Sequence, residues 1–174
     1  MDNFFKETVS FAKKTLIKEG HLDLMIVGET TDGEKLAFLG NCGNEEEKVM
    51  FFRMCSLSFC FSGVVRYLAV SEAWMSTKSK KEYDNQNYTP PSQDKNRKEC
   101  LIISDISYAD GKRGVIFEII RDKKKKILDL EKIQDMDGIE GRMTELLPPR
   151  MLNLPAELKA VVAEFVKSNK VNFH

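Results

Sequence analysis

The chain has 174 residues, of which 42% are hydrophobic and 31% are charged. This composition is typical of a globular protein and too apolar for a disordered one. The length fits one domain over residues 1–174. The 27 basic and 27 acidic residues cancel, which argues against a general nucleic-acid or membrane-surface binder.

The N-terminal segment differs from a signal peptide, because Lys6, Glu7 and Lys13 interrupt its apolar residues. No stretch approaches the roughly 18 consecutive apolar residues of a membrane span. The four cysteines have no C-x-x-C spacing, and we expect free thiols in a reducing compartment. The sequence therefore predicts a cytoplasmic protein with no membrane partner.

The first third of the chain predicts a helix and a hairpin. Apolar residues recur at steps of three and four from Phe5 to Leu16 and indicate a helix over about residues 3–19. Two apolar stretches then flank Asp32-Gly33, a pair typical of a tight β-hairpin turn.

A second helix is predicted between Asn44, its N-cap, and Gly63. Two adjacent apolar stripes indicate a helix buried around much of its circumference. One stripe consists of Met50, Met54, Leu57 and Phe61. The other consists of Phe51, Cys55 and Phe59.

The second half predicts strands around one long loop. The β-branched residues of 64–75 favour a strand, and the polar stretch at 76–98 is expected to be a loop that is either functional or disordered. Two further strands flank Asp110-Gly111, and a third follows a lysine-rich turn.

A last helix follows Pro155. Its predicted apolar face consists of Leu158, Val161, Val162 and Phe165. The element order αββαβββ(β)α predicts an α+β fold, in which a mainly antiparallel sheet of five to six strands packs with three helices. This topology resembles that of roadblock and profilin-like modules.

The stretch Ser71-Glu72-Ala73-Trp74-Met75 closes the long strand and holds the only tryptophan. It is similar to small uncharacterised bacterial and phage proteins in which a strand ends in Glu-Ala-Trp-Met. The resemblance implies a bacterial or phage origin and brings no known activity.

Catalytic and cofactor motifs are missing from the sequence. The only histidines are His21 and His174, and neither lies in a metal-binding motif. Phosphate-binding loops and a G-x-S-x-G nucleophile motif are also absent. We therefore predict no catalytic residue, no metal and no cofactor.

Candidate binding residues lie at the end of the long strand. Trp74 could offer an aromatic platform and Glu72 an acceptor or general base. The favoured interpretation is that Trp74 plugs the end of the core and that Glu72 pairs with a lysine or arginine. Arg66 and Arg121 lie in predicted strands. Each arginine either reaches the solvent face or meets a buried carboxylate, for which Glu72, Glu118 or Asp105 could serve. An ordinary surface ion pair is the favoured interpretation.

The basic residues of 76–98, together with Lys123–Lys126, suggest a single-strand nucleic-acid site in which Tyr83 and Tyr88 stack on bases. Lysines greatly outnumber arginines, which disfavours a nucleic-acid partner without excluding it.

Three functions therefore remain open. The favoured one is a small binding or accessory module that recognises another protein or forms a homodimer. The alternatives are an enzyme of unrecognised type with a pocket near Glu72 and Trp74, and a single-stranded nucleic-acid binder that uses the loop at 76–98.

Overall fold

A computed structural model describes residues 2–76, 90–139, 142–147 and 154–169. Three helices and a six-stranded antiparallel sheet confirm the predicted α+β class and element order. The helices are α1 (Asn3–Glu19), α2 (Glu45–Ser62) and α3 (Ala156–Asn169). The strands are β1 (Leu24–Thr30), β2 (Lys35–Gly40), β3 (Val64–Met75), β4 (Lys98–Ser107), β5 (Gly111–Arg121) and β6 (Ile127–Asp137).

The strand order in the sheet is β2-β1-β3-β4-β5-β6, and every neighbouring pair is antiparallel. Both predicted Asp-Gly hairpins are confirmed. Gly33 and Gly111 have φ angles of 78° and 77°, a left-handed backbone that glycine adopts without a steric penalty.

The predicted N-cap of α2 is confirmed, and Asp2 caps α1 in the same way. Asp2 accepts a hydrogen bond from the Phe5 N–H over 3.0 Å, and Asn44 accepts one from the Glu47 N–H over 2.9 Å. Both are N-cap bonds that satisfy a donor of the first helical turn. Within the described ranges, no helix is both long enough and apolar enough to cross a bilayer.

The sheet separates two apolar cores. On one face, Phe4, Phe5, Ala12 and Leu16 of α1 pack against the strands. On the other face, α2 and α3 pack through aromatic residues. The Phe38 and Phe165 rings lie 5.4 Å apart, and the Phe59 and Tyr67 rings lie 5.3 Å apart. This arrangement gives each face of the sheet its own hydrophobic layer.

The expectation that both stripes of α2 are buried is wrong. Phe51, Cys55 and Phe59 face the sheet, but Met50 is 58% exposed and Phe61 is 46% exposed. One sheet face covers only one stripe of a helix, and α3 contacts α2 without enclosing it. Val161 of α3 is likewise 54% exposed, so the predicted apolar face of α3 is narrower than its sequence suggests.

Two glycines bring α2 close to the hairpin of β1 and β2. A methyl group on Gly28 would lie 2.7 Å from the Phe59 ring, and one on Gly40 would lie 2.8 Å from the Phe51 ring. The absence of a side chain at Gly28 and Gly40 therefore makes room for the two phenylalanines that anchor α2.

We expect Gly28→Ala to destabilise the fold by about 1–3 kcal/mol, because the added methyl group overpacks the Phe59 site. Urea unfolding followed by circular dichroism measures the change. Gly43→Ala is the matched control, since a methyl group there meets only the Glu47 carboxylate at 3.5 Å. Equal stability of the two variants would contradict the packing argument.

Candidate functional site

The predicted site residues share one face of the sheet but lie at two ends of it. Side chains alternate along a strand, so Arg66, Glu72 and Trp74 of β3 point to the same face as Leu68, which packs against α1. Eight residues separate Arg66 from Trp74, which corresponds to about 26 Å along the strand. The structure therefore presents two separate candidate sites.

The first end is built on a buried ion pair. The Arg66 guanidinium donates from Nε to Oδ1 and from Nη2 to Oδ2 of Asp105, each over 2.8 Å. Arg113 donates a third hydrogen bond to the same carboxylate over 2.8 Å. The Asp105 side chain is 3% exposed and that of Arg66 is 10% exposed. The expectation of an ordinary surface pair is therefore wrong for Arg66.

The start of α1 completes this network. Arg66 Nη1 donates to the Asp2 carboxylate, and the guanidinium carbon lies 5.2 Å from the centroid of the Phe4 ring. Hydrogen bonding to Asp105 raises the pKa of Arg66. Burial would raise the pKa of Asp2, but hydrogen bonds from Arg66 and the Phe5 N–H outweigh it and lower that pKa. Both groups are thus held in their charged forms.

A cavity of about 230 Å³ lies beside this network. Phe5, Asp105 and Val115 are buried and form its floor, whereas Arg113 and Asp137 are exposed at its rim. The full lining is Phe5, Asp105, Arg113, Gly114, Val115, Asp135, Met136 and Asp137. No sequence motif marks these residues, because β4, β5, β6 and α1 bring them together from distant positions.

The second end gathers three of the predicted residues. Arg121 donates to Glu99 from Nε over 2.5 Å and from Nη2 over 2.7 Å. Glu99 lies opposite Trp74 in the register of β3 and β4. The Arg97 guanidinium lies 4.2 Å from the centroid of the Trp74 ring, which is partly exposed. Trp74 is therefore a surface residue and not a plug of the core.

Glu72 holds the connection between α1 and β1. Its Oε1 accepts a hydrogen bond from the Leu22 N–H. Burial raises its pKa, and Glu99 adds to that effect, while the Leu22 bond and Arg121 oppose it. This contact gives Glu72 a structural role, and a role as general base remains a prediction.

The other predictions about this end concern residues 77–89, which lie outside the described part of the chain. They include Tyr83, Tyr88 and most of the predicted loop at 76–98. Among the residues that are described, no group of histidine, cysteine and carboxylate side chains has the arrangement of a metal site.

We expect Asp105→Asn to destabilise the protein by about 3–5 kcal/mol, because it removes the buried counter-charge of Arg66 and leaves that guanidinium only the half-exposed Asp2 carboxylate. Urea unfolding measures this loss. The control Glu99→Gln breaks a pair whose side chains are about one-fifth exposed and should cost about 1 kcal/mol. The ion-pair argument fails if the two losses are similar.

A second prediction concerns pH. The raised pKa of Glu72 means that the folded protein holds this proton more tightly than the unfolded chain, whose usual value is 4.5. The carboxyl group therefore destabilises the fold increasingly as the pH rises above that value. Glu72→Gln keeps an oxygen for the Leu22 N–H but cannot titrate. The stability of the native protein relative to this variant should fall as the pH rises from 4.5 toward neutrality.

Thermal unfolding across this pH range measures the difference. The same comparison with Glu131→Gln, which removes an exposed carboxyl from β6, gives the effect of losing one surface charge. The stability difference between the native protein and Glu72→Gln is compared with the difference between the native protein and Glu131→Gln. If the two differences depend on pH in the same way, burial does not control the titration of Glu72.

No family model, curated protein or solved structure matches this chain. The functional assignment therefore depends on the geometry of the two ends of the sheet.

Proposed function

We propose that the protein is a binding module and that its ligand is a small organic cation held in the cavity beside Arg113. The observation that carries this proposal is the cavity itself, which combines the buried apolar side chains of Phe5 and Val115 with one buried carboxylate and two exposed ones. Sites for small molecules are commonly concave and apolar, with a few polar groups that fix the orientation of the ligand.

The volume limits the size of the ligand. Sites for drug-sized molecules usually span about 300–1,000 Å³, and this cavity of about 230 Å³ is smaller. A primary amine or guanidine with a short alkyl chain fits that volume. Phe5, Val115 and Met136 supply apolar surface for the chain.

The charge of the lining favours a cation. Asp105, Asp135 and Asp137 provide three carboxylates, against the single guanidinium of Arg113. Neighbouring residues reduce this excess, because Lys132 binds Asp135 over 2.6 Å and Arg66 binds Asp105. Asp137 makes no ion pair with any other described residue and is the carboxylate available to a ligand.

The walls of the cavity are fixed before a ligand arrives. Asp105 is held by Arg66 and Arg113, and Phe5 lies in the first turn of α1, which Asp2 caps. A site held by its own hydrogen bonds loses little conformational entropy on binding. The same bonds leave Asp105 without a free oxygen for proton transfer, which supports binding over catalysis at this end.

Binding can be tested with n-butylamine, 1,4-diaminobutane and agmatine, with butyrate as the anionic control. We expect at least one of the three cations, but not butyrate, to raise the melting temperature and to bind measurably by calorimetry. Native mass spectrometry of gently purified protein would also reveal a retained ligand.

Asp137→Asn should weaken binding of that cation about tenfold, equivalent to about 1.4 kcal/mol, while the melting temperature of the free protein changes little. The matched control is Glu131→Gln, which removes one charge from β6 outside the cavity. Equal weakening by both variants, or binding by none of the cations, would refute the proposed site.

A further inference from the structure

The second end of the sheet carries an exposed aromatic ring beside positive charge. Trp74 is 44% exposed, and Arg97 stacks on its ring at 4.2 Å. An exposed tryptophan at the end of a strand contributes less to the core than a buried one would. The pair instead presents a flat, stackable surface to solvent.

The turn between β5 and β6, residues 122–126, lies at the same end and is called the lysine turn here. The Asp122 N–H donates to the Lys126 carbonyl over 2.8 Å, and the Lys125 N–H donates to the Asp122 carbonyl over 3.0 Å. The Asp122 carboxylate accepts from the N–H groups of Lys124 and Lys126, each over 2.8 Å. The backbone of the turn is therefore well defined.

The four lysines of this turn are exposed, and none of them makes an ion pair with another described residue. Lys125 has a φ of 64°, a left-handed conformation that glycine adopts more easily. Four adjacent like charges also repel one another. The turn thus carries four exposed positive charges whose mutual repulsion no ion pair with another described residue relieves.

Trp74 and the lysine turn are held in a fixed relation. Trp74 lies opposite Glu99, and Glu99 binds Arg121, the last residue of β5. Arg121 also donates to the Lys125 carbonyl over 3.0 Å. The register aligns Ala73 with Cys100 and Cys100 with Glu118, so Trp74 lies three residues short of Asp122 along the strand direction. With two strand spacings of about 4.8 Å between β3 and β5, the backbone of Trp74 is about 14 Å from the start of the turn.

We propose that Trp74, Arg97 and the lysine turn bind single-stranded nucleic acid. The lysines neutralise phosphates, and the ring provides a stacking platform that every base can use. Bases also stack on guanidinium planes, so Arg97 extends the platform. In a duplex the bases are already stacked on each other, so an exposed ring favours the single strand. This proposal is independent of the cavity at the opposite end.

The probe is a fluorescein-labelled oligo-dT of about 15 nucleotides, with the matching duplex and polyglutamate as competitors. We expect binding at low salt, weaker competition by the duplex, and none by polyglutamate. Trp74 is the only tryptophan of the chain, so stacking should quench the intrinsic fluorescence. Failure to bind at low salt, or equal competition by polyglutamate without quenching, would overturn the proposal, the latter in favour of an acidic protein partner.

Two variants separate charge from stacking. Changing Lys123, Lys124 and Lys126 together to Gln should flatten the slope of log Kd against log salt by about 2, because each phosphate contact on a single strand contributes about 0.7. Trp74→Leu should weaken binding about tenfold and leave that slope unchanged.

The matched control is the combined change of Lys6, Lys159 and Lys167 to Gln, which removes the same charge from exposed positions on α1 and α3. This control should leave the slope nearly unchanged. If it flattens the slope as much as the lysine-turn variant does, the binding reflects overall charge and the proposed surface is wrong.

Discussion

The buried ion pair between Arg66 and Asp105 determines how the elements of this protein fit together. A guanidinium inside an apolar layer must be paired, because an unpaired buried charge costs several kcal/mol. Asp105 accepts hydrogen bonds from two nitrogens of the Arg66 guanidinium, and Asp2 accepts one from the third. A slip of one residue between β3 and β4 would move Asp105 to the opposite face. The pair therefore selects the register of the central strands.

The same network positions α1. One oxygen of Asp2 caps the helix by accepting from the Phe5 N–H, and the other accepts from Arg66. The start of the helix and the middle of the sheet are thus joined through one carboxylate. The cavity lies directly beside this junction, so its floor is formed by groups that folding has already fixed.

Local signals predicted the elements well, whereas the sites required tertiary pairing. Asp2, Asn44 and the Asp-Gly turns act on their immediate neighbours, so their effects could be predicted from the sequence. The sequence alone left three carboxylates as possible partners of Arg66. The register of β3 and β4 brings Asp105 beside it. The stacking of Arg97 on Trp74 depends in the same way on strand pairing. The net charge of zero said little about where charge is concentrated. The carboxylates of the cavity at one end and the lysines of the turn at the other end cancel in the total.

The dipole of α1 matches the side-chain charges at its two ends. The N-terminus of α1, with its partial positive charge, lies beside Asp2, while its C-terminal carbonyls lie near Arg121, which donates to the Gly20 carbonyl over 3.4 Å. The dipole therefore supports the separation of charge along the sheet.

The β6 edge, in contrast, is poorly suited to a partner strand. The register with β5 shifts twice, and Leu128 and Ile133 are the residues left without a cross-strand partner. Such bulges distort an edge, and charged side chains along it repel a second strand. A homodimer formed by pairing two copies of β6 is accordingly disfavoured. The proposed binding surfaces lie instead at the cavity, where Asp105 is held by Arg66 and Arg113, and at the lysine turn, where hydrogen bonds hold the backbone.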